Sequence, residues 1–174
     1  DKVLSQNQLE NILTTIRHVV DNRDSKAGRL SLLVVEDEPD IAELIQRILS
    51  KTYHIEFATD GSQAIEKFDA GYFDIVLLDV QLPEVSGVDV LKHIIAREPK
   101  QAVVMMTAHG DTDLAGKLMA SGAADFISKP FKAEQLRKVV SIAVHRENFL
   151  ISNAQFADNV QTIEKSKEEF RRLY

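Results

Sequence analysis

The chain has 174 residues, with 27 acidic and 21 basic side chains, 44% hydrophobic content and no cysteine, which fits a globular protein of one domain plus a surplus. The lack of cysteine removes disulfide frameworks and thiolate metal sites and fits a reducing, cytoplasmic setting. A net charge of −6 supplies no basic stripe for nucleic-acid phosphates, and without an 18-residue apolar run no membrane span is expected.

The acidity is local. Residues 1–29 carry four acids and five bases, residues 149–174 four of each, and residues 30–148 nineteen acids against twelve bases. The expected organisation is therefore an N-terminal amphipathic helix and linker over 1–29, one acidic domain over 30–148, and a helical extension over 149–174. In the first segment Ser5 and Gln8 have capping-box spacing, and Leu9, Ile12, Leu13, Ile16, Val19 and Val20 share one helical face. A polar linker follows from Asp21 to Gly28. Asp1-Lys2-Val3-Leu4 is no secretion signal, and with no initiator Met the chain is expected to be a piece of something longer.

The middle segment alternates two patterns. Short apolar runs at Leu30–Val35, His54–Ala58, Asp74–Leu78, Ala102–Met106 and Ala124–Ile127 predict strands, all but the second apolar on both faces. Between them lie helical periods: Ile41, Leu44, Ile45, Ile48 and Leu49; Ala64, Ile65 and Phe68; Val88, Leu91, Ile94 and Ile95; Leu114, Leu118 and Met119. A last helix runs through Leu136, Val139, Val140 and Ala143. Pro39 suits a first helical position, Asp60 with Gln63 forms a capping-box pattern, and Asp111 and Gly122 bracket the fourth helix. Five strand–helix pairs predict right-handed crossovers and an α/β, doubly wound, five-stranded parallel sheet of flavodoxin-like size. Beyond it Ile142, Phe149, Phe156, Ile163 and Phe170 recur every seven residues. That stripe predicts a coiled-coil-like helix continuing the last helix of the domain, with polar Arg146, Asn153 and Lys167 setting register. A parallel homodimer is favoured over a fold-back onto the N-terminal helix, because the repeat persists.

In open α/β sheets ligands collect at the carboxyl ends of the strands. Here these ends carry Glu36-Asp37-Glu38, Asp79, Thr107-Ala108 and Lys129-Pro130. Crowded carboxylates repel one another, so the set makes sense around a hard divalent cation, Mg²⁺ by preference, with Lys129 supplying the remaining countercharge. A flavin or nucleotide-phosphate binder needs a Gly/Ser/Thr-rich loop after the first strand, and the acidic run there is its electrostatic opposite; no G-x-G spacing occurs either. A phosphatase of the haloacid-dehalogenase type needs a second Asp two residues after its nucleophile, where Gln81 stands. Taken singly, these acids could be exposed loop residues or helix caps. Their coincidence at four strand ends argues for a site. The histidines do not pair at metal-ligand spacing and are expected at the surface.

Val34-Val35-Glu36-Asp37-Glu38, Val76-Leu77-Leu78-Asp79-Val80-Gln81-Leu82-Pro83, Gly87, Met106-Thr107-Ala108 and Ile127-Ser128-Lys129-Pro130-Phe131 together resemble the receiver domains of two-component response regulators. The resemblance implies that Asp79 accepts a phosphoryl group from a sensor histidine kinase or phosphotransfer protein. It implies that Glu36, Asp37, Asp79 and the backbone carbonyl of Gln81 hold Mg²⁺, with Mn²⁺ as a substitute. By the same resemblance Lys129 neutralises charge, Thr107 donates to the phosphoryl oxygen, Phe126 is the switch aromatic that turns inward, Gln81 and His109 tune phosphoryl lifetime, and Lys129–Pro130 is cis. Glu36 departs from the family's usual acid pair at a position where Asp is also common, and Phe126 from the commoner Tyr; lacking a hydroxyl, Phe126 should bury without a desolvation cost. No independent enzyme activity is expected beyond self-phosphorylation and dephosphorylation. The alternative is a degenerate receiver serving as a dimerisation scaffold. The last eleven residues resemble the lead-in helix of a PAS domain, which implies a longer signalling protein with a histidine kinase or cyclic-dinucleotide enzyme as a candidate further module.

Overall fold

The computed structural model describes residues 28–108 and 112–146. The expected N-terminal helix, most of the heptad stripe, the PAS-like residues, His109 and the Asp111 cap lie outside them. In chain order the described elements are β1 (Leu30–Val35), α1 (Pro39–Leu49), β2 (Tyr53–Ala58), α2 (Gly61–Ala70), β3 (Ile75–Asp79), α3 (Gly87–Arg97), β4 (Ala102–Thr107), α4 (Thr112–Ala120) and β5 (Asp125–Ser128). A final helix, α5, is described over residues 133–146. The chain divides into two units, Asp1–Ala143 and Val144–Tyr174, and the packing below is that of the first.

The five strands pair in parallel in the order β2-β1-β3-β4-β5. This is the doubly wound fold expected, and its order explains which strands are apolar on both faces. β1, β3 and β4 lie inside the sheet, and Leu32–Val35, Ile75–Leu78 and Val103–Met106 have no exposed surface. Leu33, Val35, Val76, Leu78, Val103 and Met105 form one core with Ala64 and Phe68 of α2, Val90, Leu91 and Ile94 of α3, and Leu118 of α4. Their alternate neighbours Leu32, Val34, Ile75, Leu77, Val104 and Met106 are equally inaccessible and, by the two-residue period of a strand, belong to the other face. β5 departs from expectation. As an edge strand it is only partly covered, and Phe126 is 38% exposed.

The helix starts follow their local chemistry. Pro39 occupies the first turn of α1, where its missing N–H costs nothing. Asp60 caps α2 by accepting from the Gln63 N–H at 2.7 Å, while Gln63 Oε1 accepts from the Thr59 N–H at 3.1 Å; the reciprocal bond of the capping box thus falls one residue before the cap. Ser86 caps α3 through the Asp89 N–H at 3.2 Å. α4 ends in a Schellman arrangement, with Gly122 N–H on Met119 O and Ala123 N–H on Leu118 O, both 3.1 Å, and Gly122 at φ 103°.

Candidate functional site

The chain leaves β1 toward β2 on one side and reaches β3 on the other, so the crevice between the carboxyl ends of β1 and β3 is the topological switch point. Glu36 and Asp37 follow β1 directly, and Asp79 is the last residue of β3. Carboxylate oxygens from these three residues lie within 4.8 Å of one another. Glu36 and Asp79 are buried, at 1% and 4% exposure, and Asp37 is exposed.

Lys129 reaches in from the end of β5. Its Nζ stands 2.5 Å from Asp79 Oδ2, 2.7 Å from Glu36 Oε2 and 3.8 Å from Glu38 Oε1. The Gln81 N–H donates to the other Asp79 oxygen at 3.0 Å, and the Glu38 N–H donates to Glu36 Oε1 at 3.1 Å. Glu36 Oε2 is different. It is buried, Lys129 stands 2.7 Å from it as an ion pair, and no donor among the described residues meets it in hydrogen-bonding geometry. Burial drives the Glu36 pKa above its ordinary value, helped by the Asp79 charge, and the interactions with Lys129 and the Glu38 N–H only partly offset this. For Lys129, burial lowers the pKa, but the hydrogen bond to Asp79, the close ion pair with Glu36 and the charges of both outweigh it and the net shift is upward. A cluster of hard oxygen donors, with one buried carboxylate oxygen that no described residue hydrogen-bonds, fits a small divalent cation.

The remaining expected residues fall in two groups. Gln81 and Ala108 line the same cleft of about 640 Å³ as Asp37, Asp79 and Lys129, with Ile41 and Leu44 of α1 among its walls. Thr107 is buried at the end of β4, and its carbonyl accepts from the Lys129 N–H at 2.7 Å, tying the β4 and β5 ends together. The Lys129–Pro130 peptide is cis, as expected. Phe126 lies apart, on the partly open edge strand. Gly87 has a steric role that pattern alone does not convey: a Cβ there would stand 1.8 Å from the Asp79 carbonyl oxygen, so α3 begins in contact with the backbone of Asp79. His93, expected as a surface group, is 36% exposed and also bridges α3 to α2, with Nε2 2.9 Å from Asp69 Oδ1, and Arg97 Nη1 stands 3.3 Å from the same oxygen.

The model of the response regulator receiver domain family matches residues 32–141. The chain belongs to this family. This receiver domain is similar to the transcriptional regulatory protein DltR of Streptococcus agalactiae, 34% identical over 140 residues that cover 80% of this chain and 62% of that protein. It is also similar to the response regulator protein PilR of Pseudomonas aeruginosa, 36% identical over 122 residues, 70% of this chain and 27% of the relative. The chain thus spans less than two thirds of the length of these relatives. Among solved structures, a response regulator receiver domain protein from Clostridium thermocellum matches at 30% identity and a TM-score of 0.65, covering 70% of this chain and 98% of that one. The receiver domain of NtrX from Brucella abortus matches at 35% and 0.63, covering 66% and 98%.

Proposed function

We propose that this receiver domain is a phosphorylation switch in which Asp79 accepts a phosphoryl group from a phosphohistidine of a cytoplasmic sensor kinase or phosphotransfer protein. The observation that carries the reading is the arrangement around Asp79: a buried carboxylate at a strand end, held on one oxygen by Lys129 and on the other by the Gln81 N–H, beside an unsatisfied Glu36 oxygen. An Asp79 carboxylate oxygen forms the new P–O bond as the P–N bond of the donor breaks, and the electron pair leaves on the donor imidazole, which then takes up a proton. Lys129 neutralises charge on the transferring group and on the resulting acyl phosphate. Thr107, one residue before the cleft-lining Ala108, supplies a hydroxyl to the phosphoryl oxygen, and Phe126 is the aromatic whose exposure changes in response. Glu36, Asp37, Asp79 and the Gln81 carbonyl would hold Mg²⁺, or Mn²⁺ in its place, which when bound supplies further charge neutralisation at the phosphoryl oxygens.

The readout is dimerisation or an attached output module such as a PAS-linked enzyme. Ile142, 53% exposed on α5, opens the seven-residue stripe that would form the dimer seam. Among the described residues no helix is long and apolar enough to cross a membrane.

Incubation with Mg²⁺ and a small acyl-phosphate donor tests the proposal. The chain should gain the mass of one phosphoryl group, gain none when the metal is chelated, and turn over no exogenous phosphoester. An unmodified chain under these conditions would leave the degenerate scaffold as the reading, and multiple turnover of a phosphoester would point to a phosphatase.

A further inference from the structure

The loop between β3 and α3, residues 80–86, follows directly on Asp79 and contains the Gln81 carbonyl, so its path bears on both. Its ends are held by the Val80 N–H on Met106 O at 2.9 Å and the Gly87 N–H on Val80 O at 3.0 Å. Its far turn is strained: Glu84 lies at φ 63°, a left-handed conformation that a residue of this kind keeps only where its surroundings over-determine it. The Val85 N–H bonds Pro83 O at 2.8 Å around this turn. Val85 then rests on a different element. A Cβ on Gly61, the buried first residue of α2, would stand 2.4 Å from the Val85 carbonyl oxygen, 2.7 Å from Val85 Cβ and 3.0 Å from Val90 Cγ2. Gly61 cannot easily yield, because Asp60 beside it is fixed by the Gln63 N–H and Thr59 by Gln63 Oε1.

We infer that Gly61 is a positioning residue for the Asp79 site: its missing side chain is the seat on which the loop closes, and that seat sets where Asp79 and Gln81 present their oxygens. The inference rests on the proposed roles of Asp79 and Gln81. A side chain at 61 would meet Val85 of the loop first and Val90 of α3 next, so Gly61 acts through these neighbours. A methyl at 61 would drive the Val85 carbonyl outward, four residues beyond Gln81, and a site whose ligands shift by a fraction of an ångström loses affinity even when every ligand remains.

The test uses the full chain, ¹⁵N-labelled, as wild type and as Gly61→Ala, Val85→Ala, Gly116→Ala and Phe68→Leu. Gly116 has nothing within 4 Å of a Cβ position, and Phe68 is a core residue of α2 whose trimming lowers stability without entering the loop. Two quantities are read: the Gln81 amide resonance, whose N–H bonds Asp79 Oδ1, and the dissociation constant for Mg²⁺. Gly61→Ala is expected to move the Gln81 resonance and weaken Mg²⁺ binding about tenfold, the size of effect typical when support outside the ligand set is lost. Val85→Ala should move both in the same direction by less, and the other two variants neither. A folded Gly61→Ala chain with a wild-type Gln81 resonance and Mg²⁺ constant overturns the inference. So does Phe68→Leu matching its effect. If Gly61→Ala fails to fold, wild-type values in Val85→Ala overturn it. A wild-type chain that does not respond to Mg²⁺ sinks the metal reading, and the Gln81 resonance alone then decides the role of Gly61.

Discussion

Glu36 and Lys129 set the electrostatics of the cleft in opposite ways. Burial raises the Glu36 pKa above 4.5, so the stability it contributes is present below that value and is lost as pH rises through its native value. Glu36→Gln removes this dependence: the metal-free chain should gain stability at neutral pH, its stability should change less with pH above 4.5, and its Mg²⁺ affinity should fall. Denaturant titrations across that range with and without metal read all three. Burial lowers the Lys129 pKa, but its hydrogen bond to Asp79, its ion pair with Glu36 and both charges carry it above 10.5, so its contribution is complete below that value and lost as pH rises through its native value. Lys129→Met leaves buried carboxylates without a counter-ion, which should cost about 3 kcal/mol in urea unfolding, part of it recovered by Mg²⁺. At this scale the acids, Lys129 and the cis Lys129–Pro130 bond were legible because each sits at a strand end or in a motif. The unsatisfied Glu36 oxygen was not, since satisfaction depends on angles that spacing does not encode. The Asp69–His93–Arg97 clamp was equally hidden, joining residues 24 and 28 positions apart in sequence.

Between elements, the informative residues are caps and close approaches. Asp60→Ala should destabilise the chain by about 1 kcal/mol, the usual cost of losing an N-cap, and thermal unfolding reads it. The Asp60–Gln63 pattern was readable in sequence, although Gln63 reaches Thr59 and not Asp60. Ser86, the cap of α3, escaped the same reading because Asp89, not Glu or Gln, follows at the third position. Gly87→Ala should be the most damaging single methyl near the site, since the Asp79 carbonyl lies 1.8 Å from the position it would take. Phosphoryl acceptance should fall more than stability, because the displaced backbone is that of the proposed acceptor, Asp79. Comparing phosphorylation rate with the unfolding midpoint separates the two effects.

Across the whole molecule, the parallel sheet follows from the alternation of apolar runs with helical periods, and strands buried on both faces turned out to be the internal ones. β5 misled the pattern: Ala124-Asp125-Phe126-Ile127 is apolar enough to suggest two covered faces, yet its edge position leaves Phe126 38% exposed. Strand order is a property of crossovers and not of local composition, so an edge strand of apolar residues looks internal when read in one dimension. The same order brings the ends of β1 and β3 together and sets Asp79 beside Glu36 and Asp37. Peptide mapping after treatment with Mg²⁺ and an acyl-phosphate donor decides whether Asp79 is the phosphoacceptor. A single labile phosphoryl group is expected on the peptide containing Asp79, absent from Asp79→Ala. A modification that persists in Asp79→Ala, or maps to another residue, would contradict it.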